Sequence, residues 1–340
     1  MKKFMEEINM SVGKLLYVPP RGIGDLVFSL PLLHSIHSAW PFLDIEIPIP
    51  NRESLRQMID LISFVKPCDV YLPKPSEDFL AEKRWRASQL GDSKRKYKIE
   101  KEIFEKYLAG FSYDLAIVAK PFEIESVEAP QVTRKNLDQM GFDWRKAHMV
   151  DGFSAFATYM GIPVSESFDL MFDLNQSIVL NNNVLRFNSS YVVFNLGASG
   201  NIRKWSAEGY KEVASWLNKQ GFISILVGTP TEYNLSQEIE EGGKGIINLV
   251  SSKEYLLNLK NYVVLTSGAK VVVGGDSGLL HLADAIGVPV VGFYGPTNPE
   301  KFGPYHNMEN VISRYNEDKS LLGISTLDVI NKLEKVLKDG

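Results

Sequence analysis

Short apolar runs alternate with amphipathic stretches along most of this chain, and the alternation starts twice. Leu15-Leu16-Tyr17-Val18 is apolar throughout, as a strand covered on both faces must be. The loop Pro19-Pro20-Arg21-Gly22-Ile23-Gly24-Asp25 follows, and then a helical pattern from Leu26 to about Ala39. The second start is Tyr191-Val192-Val193-Phe194-Asn195-Leu196. After it come the small residues Gly197-Ala198-Ser199-Gly200-Asn201 and a helical pattern from about Ala207 to Lys219. Each start is the opening strand–loop–helix of a doubly wound sheet, so the pattern predicts an α/β chain with two Rossmann-like domains in tandem.

The second half continues the alternation. Strands are expected at Phe222–Val227, Ile246–Val250, Val271–Gly275 and Val290–Tyr294, and helices at about Glu232–Glu241, Glu254–Thr266 and Leu279–Ile286. Ser251 and Glu254 have capping-box spacing before the middle helix. Connections this short favour a right-handed parallel sheet. The first half is less regular, with strand patterns at Asp44–Ile49 and Leu115–Ala119. Between them, Lys83 to Lys106 holds nine Lys or Arg against four acids, with Trp85 and Tyr97 interleaved. That composition fits a solvated helix pair, or a docking surface for an anionic acceptor or membrane. A linker is expected near Asn175–Asn188, where Asn181-Asn182-Asn183 interrupts the pattern. An amphipathic helix at about Thr326–Lys338 closes the chain. The expected division is a domain over 1–180, a second over 186–315, and a segment 316–340 that packs back on the first.

Composition narrows the function. A chain of 340 residues with 44% hydrophobic and 23% charged residues has ample material for two cores. Its net charge of −4 gives no global case for nucleic-acid binding. The single cysteine, Cys68, excludes an intramolecular disulfide and a Cys-rich metal site, and reads as a small buried hydrophobe. No apolar run reaches the roughly 18–20 residues of a membrane span. The first residues, Met1-Lys2-Lys3-Phe4-Met5-Glu6-Glu7, turn acidic too early for a signal peptide. The expectation is a cytoplasmic protein, with peripheral contact at the inner face of a membrane left open.

The stretch Val273-Gly274-Gly275-Asp276-Ser277-Gly278-Leu279-Leu280-His281 carries the most specific chemistry. A strand ends and a helix begins around an acid, a hydroxyl and a glycine. Free N–H groups at a helix start can hold a phosphate. A structural turn capped by Asp276 or Ser277 is the alternative, and the pattern alone divides the two evenly. His281 follows about one turn later, on a face that can point back to the helix start.

These residues resemble glycosyltransferase family 9, the heptosyltransferases of lipopolysaccharide core assembly. Four motifs carry the resemblance in order. They are Arg21-Gly22-Ile23-Gly24-Asp25-Leu26-Val27 through Trp40-Pro41; Leu196-Gly197-Ala198-Ser199 through Arg203-Lys204-Trp205 and Tyr210; Gly228-Thr229-Pro230-Thr231-Glu232; and Asp276 through Ala283 with Phe293-Tyr294-Gly295-Pro296-Thr297. The resemblance implies a GT-B architecture, two Rossmann-like domains facing across a cleft, the first taking the acceptor and the second the nucleotide sugar. It implies an inverting transfer of heptose from ADP-heptose, with Asp25 as general base. Asp25 as a simple helix cap is the competing reading.

On the donor side the resemblance points to Ser199, Arg203 and Lys204 at the diphosphate, with the N–H groups of Ser277, Gly278 and Leu279. Glu232 is expected at the nucleoside, Asp276 at the sugar hydroxyls, and His281 beside them. The family usually has Lys two residues before the Trp. Here Arg203 holds that place with Lys204 next, so which of the two meets the diphosphate stays open. Arg21, Arg134 and Lys135 are the acceptor-side candidates, beside the basic segment. The sequence has no Asp-x-Asp triplet. The nearest variants, Asp44-Ile45-Glu46 and Glu123-Ile124-Glu125, read as strand-edge residues, so no metal and no cofactor is expected. The expected partners are the nucleotide-sugar donor and a glycan or other hydroxyl acceptor. A family 9 enzyme with another acceptor or nucleotide sugar is the nearest alternative. A sugar-nucleotide epimerase or dinucleotide-dependent oxidoreductase is more distant, because Val27 stands where the third glycine of Gly-x-Gly-x-x-Gly would be. A binding module without turnover is disfavoured by the presence of Asp25, Glu232 and Asp276.

Overall fold

The computed structural model describes residues 13–19, 22–50, 53–72, 101, 104–105, 108–109, 111–120, 123–170, 178–180, 183–185, 189–197, 204–253 and 257–339. The chain divides into two compact units, Met1–Met171 and Phe172–Gly340.

In the first unit, β1 (Lys14–Val18) is followed by α1 (Ile23–Phe28) and α2 (Leu30–Ala39). Then come β2 (Asp44–Pro50), α3 (Glu53–Ile59), β3 (Val65–Leu72), β4 (Leu115–Val118), β5 (Gln131–Thr133), α4 (Arg134–Gln139) and α5 (Met149–Met160). The sheet order is β3-β2-β1-β4-β5, and every pairing is parallel. The helical run expected from Leu26 to Ala39 is two helices broken at Ser29. Pro31 lacks the N–H that a continuous helix would give to the Val27 carbonyl, and at the break Ser29 Oγ donates to the Leu26 carbonyl at 2.8 Å. β3, β5 and α5 are elements that the residue pattern did not announce.

The second unit opens with a hairpin of β6 (Ile178–Leu180) and β7 (Asn183–Leu185), antiparallel, in the stretch expected to be a linker. Its main sheet is built from β8 (Tyr191–Asn195), α6 (Ala207–Lys219), β9 (Ile223–Val227), a 3-10 turn (Pro230–Glu232), α7 (Tyr233–Glu240), β10 (Ile246–Asn248), α8 (Leu259–Ser267), β11 (Val271–Gly275), α9 (Gly278–Ala285), β12 (Val290–Tyr294), α10 (Pro299–Phe302) and β13 (Val311–Ser313). The order is β10-β9-β8-β11-β12-β13, again all parallel. α8 begins later than its pattern suggested. Asn258, not Ser251, caps it, accepting from the Asn261 N–H at 2.8 Å.

The final helix, α11 (Thr326–Asp339), packs into the core of its own unit. Val329, Leu333 and Val336 are buried in the core of the second unit with Ala214 and Leu217 of α6. The reason lies just upstream, where Trp205 is buried and its Nε1–H donates to the Ile324 carbonyl at 3.0 Å. Gly209 faces that indole so closely that a Cβ would lie 2.5 Å from the ring. Among the described residues no helix is long and apolar enough to cross a membrane.

Candidate functional site

In both parallel sheets the first and fourth strands of the sheet in chain order are neighbours, and the winding of the chain across the sheet reverses there. Ligands of open α/β sheets bind at the carboxyl ends of strands beside such a switch point. In the second unit this is the β8–β11 edge. The two strands approach closely because Gly274 has no side chain; a Cβ there would lie 2.5 Å from the Asn195 carbonyl oxygen. β11 is buried throughout, yet Ser277, Gly278 and Leu279 at the start of α9 are only partly covered. Ser277 is the cap, its Oγ accepting from the Leu280 N–H at 3.3 Å. The turn is therefore a capped helix start, and its first N–H groups lie at a partly open edge.

Asp276 and His281 form a buried pair, with His281 Nε2 3.2 Å from Asp276 Oδ1. Five residues separate them, and the first turn of α9 brings the ring back over the acid. Glu232 lies after β9, the strand on the other side of β8, and is 2% exposed. Its Oε1 receives Lys204 Nζ at 3.0 Å and the Thr231 hydroxyl at 2.7 Å. Its Oε2 receives the Thr229 N–H at 3.0 Å and the Thr229 hydroxyl at 2.7 Å. Burial by itself would raise the carboxyl pKa. The hydrogen bonds from Thr231, Thr229 and Lys204 outweigh it and hold Glu232 below its ordinary value. The structure thus ties Lys204, not merely a neighbouring surface cation, to the expected nucleoside residue. Ser199, Arg203 and Arg21 lie outside the described residues.

In the first unit the equivalent edge lies between β1 and β4. Asp25 is the third residue of α1, and its Oδ2 accepts from the Gly22 N–H at 3.1 Å. Gly22 occupies the cap position, so the acid itself supplies the capping side chain. Tyr17, buried in β1, senses this region. Burial raises its phenol pKa most; contact with Ser29 lowers it, the Asp25 charge raises it and the Arg134 charge lowers it. Asp25 and Arg134 are therefore electrostatic neighbours of one buried hydroxyl. Arg134 begins α4 and lies 4.2 Å from the Trp144 ring centroid, a cation–π contact. Lys135 is exposed on the same helix.

Lys120 escaped the sequence reading. It is 3% exposed just past the end of β4, and its carbonyl accepts the Arg134 N–H at 3.2 Å. A lysine closing an otherwise apolar strand, Leu115 to Ala119, was the available signal. Asn195, closing β8, is the corresponding omission in the second unit.

The remaining motif residues are structural. Asp44 pairs with Lys66 at 2.7 Å, Glu46 with Lys14 at 3.1 Å, and Glu125 with Lys101. Lys101 belongs to the basic stretch Lys83–Lys106, of which residues 83–100, 102–103 and 106 lie outside the described residues. Cys68 is buried, its Sγ 3.1 Å from the Tyr113 hydroxyl.

A parallel sheet of this order, with a polar helix start at its switch point, is the architecture on which nucleotides are bound. The sequence profile of glycosyltransferase family 9 (heptosyltransferase) matches residues 126–325, more than half of the chain. The chain belongs to that family. It is 30% identical over 172 residues to the lipopolysaccharide core heptosyltransferase OpsX of Haemophilus influenzae, across 50% of this chain and 49% of that protein. The match thus spans about half the length of that relative. Among solved structures, E. coli heptosyltransferase WaaC with ADP superposes with a TM-score of 0.67 at 21% identity, covering 95% of this chain and 99% of that one. E. coli ADP-heptose lipopolysaccharide heptosyltransferase II gives 0.61 at 20% identity, over 96% and 99%. At these identities the likeness is one of fold.

Proposed function

We propose that this protein transfers a heptose from ADP-heptose to a hydroxyl of lipopolysaccharide core or a related glycan, with inversion at the anomeric carbon. The observation that carries the reading is the polar constellation at the β8–β11 edge, in a chain of family 9. Lys204, anchored on Glu232, offers two further ammonium N–H groups, and the α9 start offers backbone N–H groups and the Ser277 hydroxyl. Such donors neutralise a departing diphosphate without a metal. The relatives named above support ADP-heptose as the donor in this reading: one solved structure holds ADP, and another is called an ADP-heptose enzyme.

Asp25 is the proposed base. It takes the acceptor proton as the acceptor oxygen bonds to the anomeric carbon and the bond to the diphosphate breaks, releasing ADP. It stands in the first turn of α1, where the helix dipole favours a carboxylate's charged form. Arg134, which shares the buried Tyr17 hydroxyl with Asp25 as an electrostatic neighbour, favours an acceptor that is itself anionic. We place the reaction in the cytoplasm, with peripheral contact at the inner membrane face where a lipid-linked acceptor is presented. Purified protein is incubated with ADP-heptose and a heptose-deficient core acceptor, and products are read by mass spectrometry. Transfer in the wild type and its persistence in chelator support the reading. Full transfer by Asp25→Ala would remove the assigned base.

A further inference from the structure

Asn195 ends β8 with no exposed surface, at the centre of the donor edge, yet it belongs to none of the roles assigned above. Its side chain is held over Gly274, whose missing Cβ would otherwise lie 3.1 Å from the Asn195 Cβ. Its Nδ2 donates to Ser277 Oγ at 2.8 Å. Ser277 Oγ also accepts from the Leu280 N–H. A hydroxyl has two acceptor positions and one proton. With both acceptor positions occupied from within the protein, the Ser277 proton is left to donate towards the partly open side of the turn. A serine restricted to donating suits an anion.

The other end of the carboxamide is unusual. Asn195 Oδ1 is buried and has no hydrogen-bond partner among the described residues. Buried acceptors are nearly always paired, so this one asks for a donor from outside the protein. Its surroundings show where. A Cβ on Gly197 would lie 3.6 Å from Asn195 Oδ1 and 3.8 Å from Glu232 Oε2. Both oxygens border the space beside Gly197, and both are acceptors. A ligand hydroxyl fits such a place, and a phosphate oxygen does not.

We propose that Asn195 is a positioning residue for the donor: its amide N–H fixes Ser277 so that the serine hydroxyl donates to the diphosphate, and its amide oxygen accepts from a ribose hydroxyl of the same nucleotide. The proposal rests on the donor reading above and adds to it a residue outside the family motifs used there.

The test is a double-mutant cycle read by calorimetric titration of the intact protein with ADP, each variant first checked for an unliganded melting transition. Ser277→Ala is expected to weaken ADP binding about tenfold, as for one charge-assisted hydrogen bond. Asn195→Ala is expected to weaken it more, because both contacts go. The double variant is expected to bind no worse than Asn195→Ala, within about twofold. Titration with adenosine separates the two ends: Ser277→Ala leaves its affinity unchanged, and Asn195→Ala lowers it. Should Asn195→Ala not fold, Asn195→Asp takes its place. The carboxylate would draw the Ser277 proton inward and weaken ADP at least as much as Ser277→Ala. Losses that multiply in the double variant, or an Asn195 variant with wild-type affinity, would overturn the proposal while the donor reading stands. Failure of the wild type to bind ADP at all would overturn both.

Discussion

The two units solve the same opening differently. Each runs strand, turn, helix at the switch point of a parallel sheet, and each helix starts on polar residues. In the first unit the cap residue is glycine and the acid sits inside the first turn, at Asp25. In the second the cap is Ser277 and the acid, Asp276, precedes the helix, paired with His281. One helix start is occupied by its own carboxylate, so it holds a negative charge for use. The other is closed by a neutral hydroxyl, so its N–H groups remain for a negative charge brought by a ligand. On the proposed function, one fold would yield a base or an anion site according to where one acid stands at the helix start.

The sharpest way to break this contrast is Asp25→Asn, which keeps an oxygen for the Gly22 N–H but removes the charge. Transfer is expected to fall by about 10²–10⁴-fold with ADP affinity unchanged. Equal loss of both would show that Asp25 is only a cap. In the second unit, Trp205→Ala should cost about 3–5 kcal/mol in chemical denaturation, since a buried aromatic and its bond to Ile324 disappear together. A loss confined to ADP affinity would mean that Trp205 serves the ligand alone.

Glu232→Ala leaves Lys204 without its partner and should cost about 3 kcal/mol, near the lower end for a broken buried pair. The sign with pH also follows. The Glu232 pKa lies lower in the folded protein, so its contribution is present above about pH 4.5 and is lost as pH falls through the lowered value. The variant should therefore melt with less acid sensitivity than the wild type.

His306 gives a smaller effect of opposite sign. Its bond to the buried Asp284 on α9 raises its pKa above 6.5. Its stabilisation is complete below that value and fades as pH rises through the raised one. Melting temperatures at about pH 6 and about pH 8 should differ less in His306→Asn than in the wild type. Lys135→Ala, on an exposed side chain, should shift stability by no more than about 0.5 kcal/mol. A large loss of transfer there would place Lys135 with Arg134 on the proposed acceptor side.

The second unit was the more legible half because its elements are regular and their ends carry strong signals. The helix Ala207–Lys219 and the strands Val271–Gly275 and Val290–Tyr294 fall where periodicity and turn residues put them. The break at Ser29 was hidden because Leu30 to Ile36 continues the apolar pattern across it. The start of α8 was misplaced because Ser251 and Asn258 are both good caps, and only the fold decides which one is used. At the site, residues within a motif were readable and partners across strands were not. Nothing in the sequence links Asn195 to Ser277, or Lys204 to Glu232, because each pair meets only when parallel strands bring distant loops together. Lys120 was missed for the same reason: a single polar residue ending an apolar run reads as punctuation until its burial is seen.

The place of α11 bears on how the protein is made. Residues 326–339 complete a core that starts at Val192, so the second unit stays open until this late segment has been synthesised. The first unit lies wholly ahead of this segment in the chain, and domains generally fold in order of synthesis. During that interval Trp205 lacks its bond to Ile324, and the loop that carries Lys204 has no firm seat. The proposed donor site therefore gains its support last, and a chain stopped before Thr326 would carry the described site residues yet leave them unsupported.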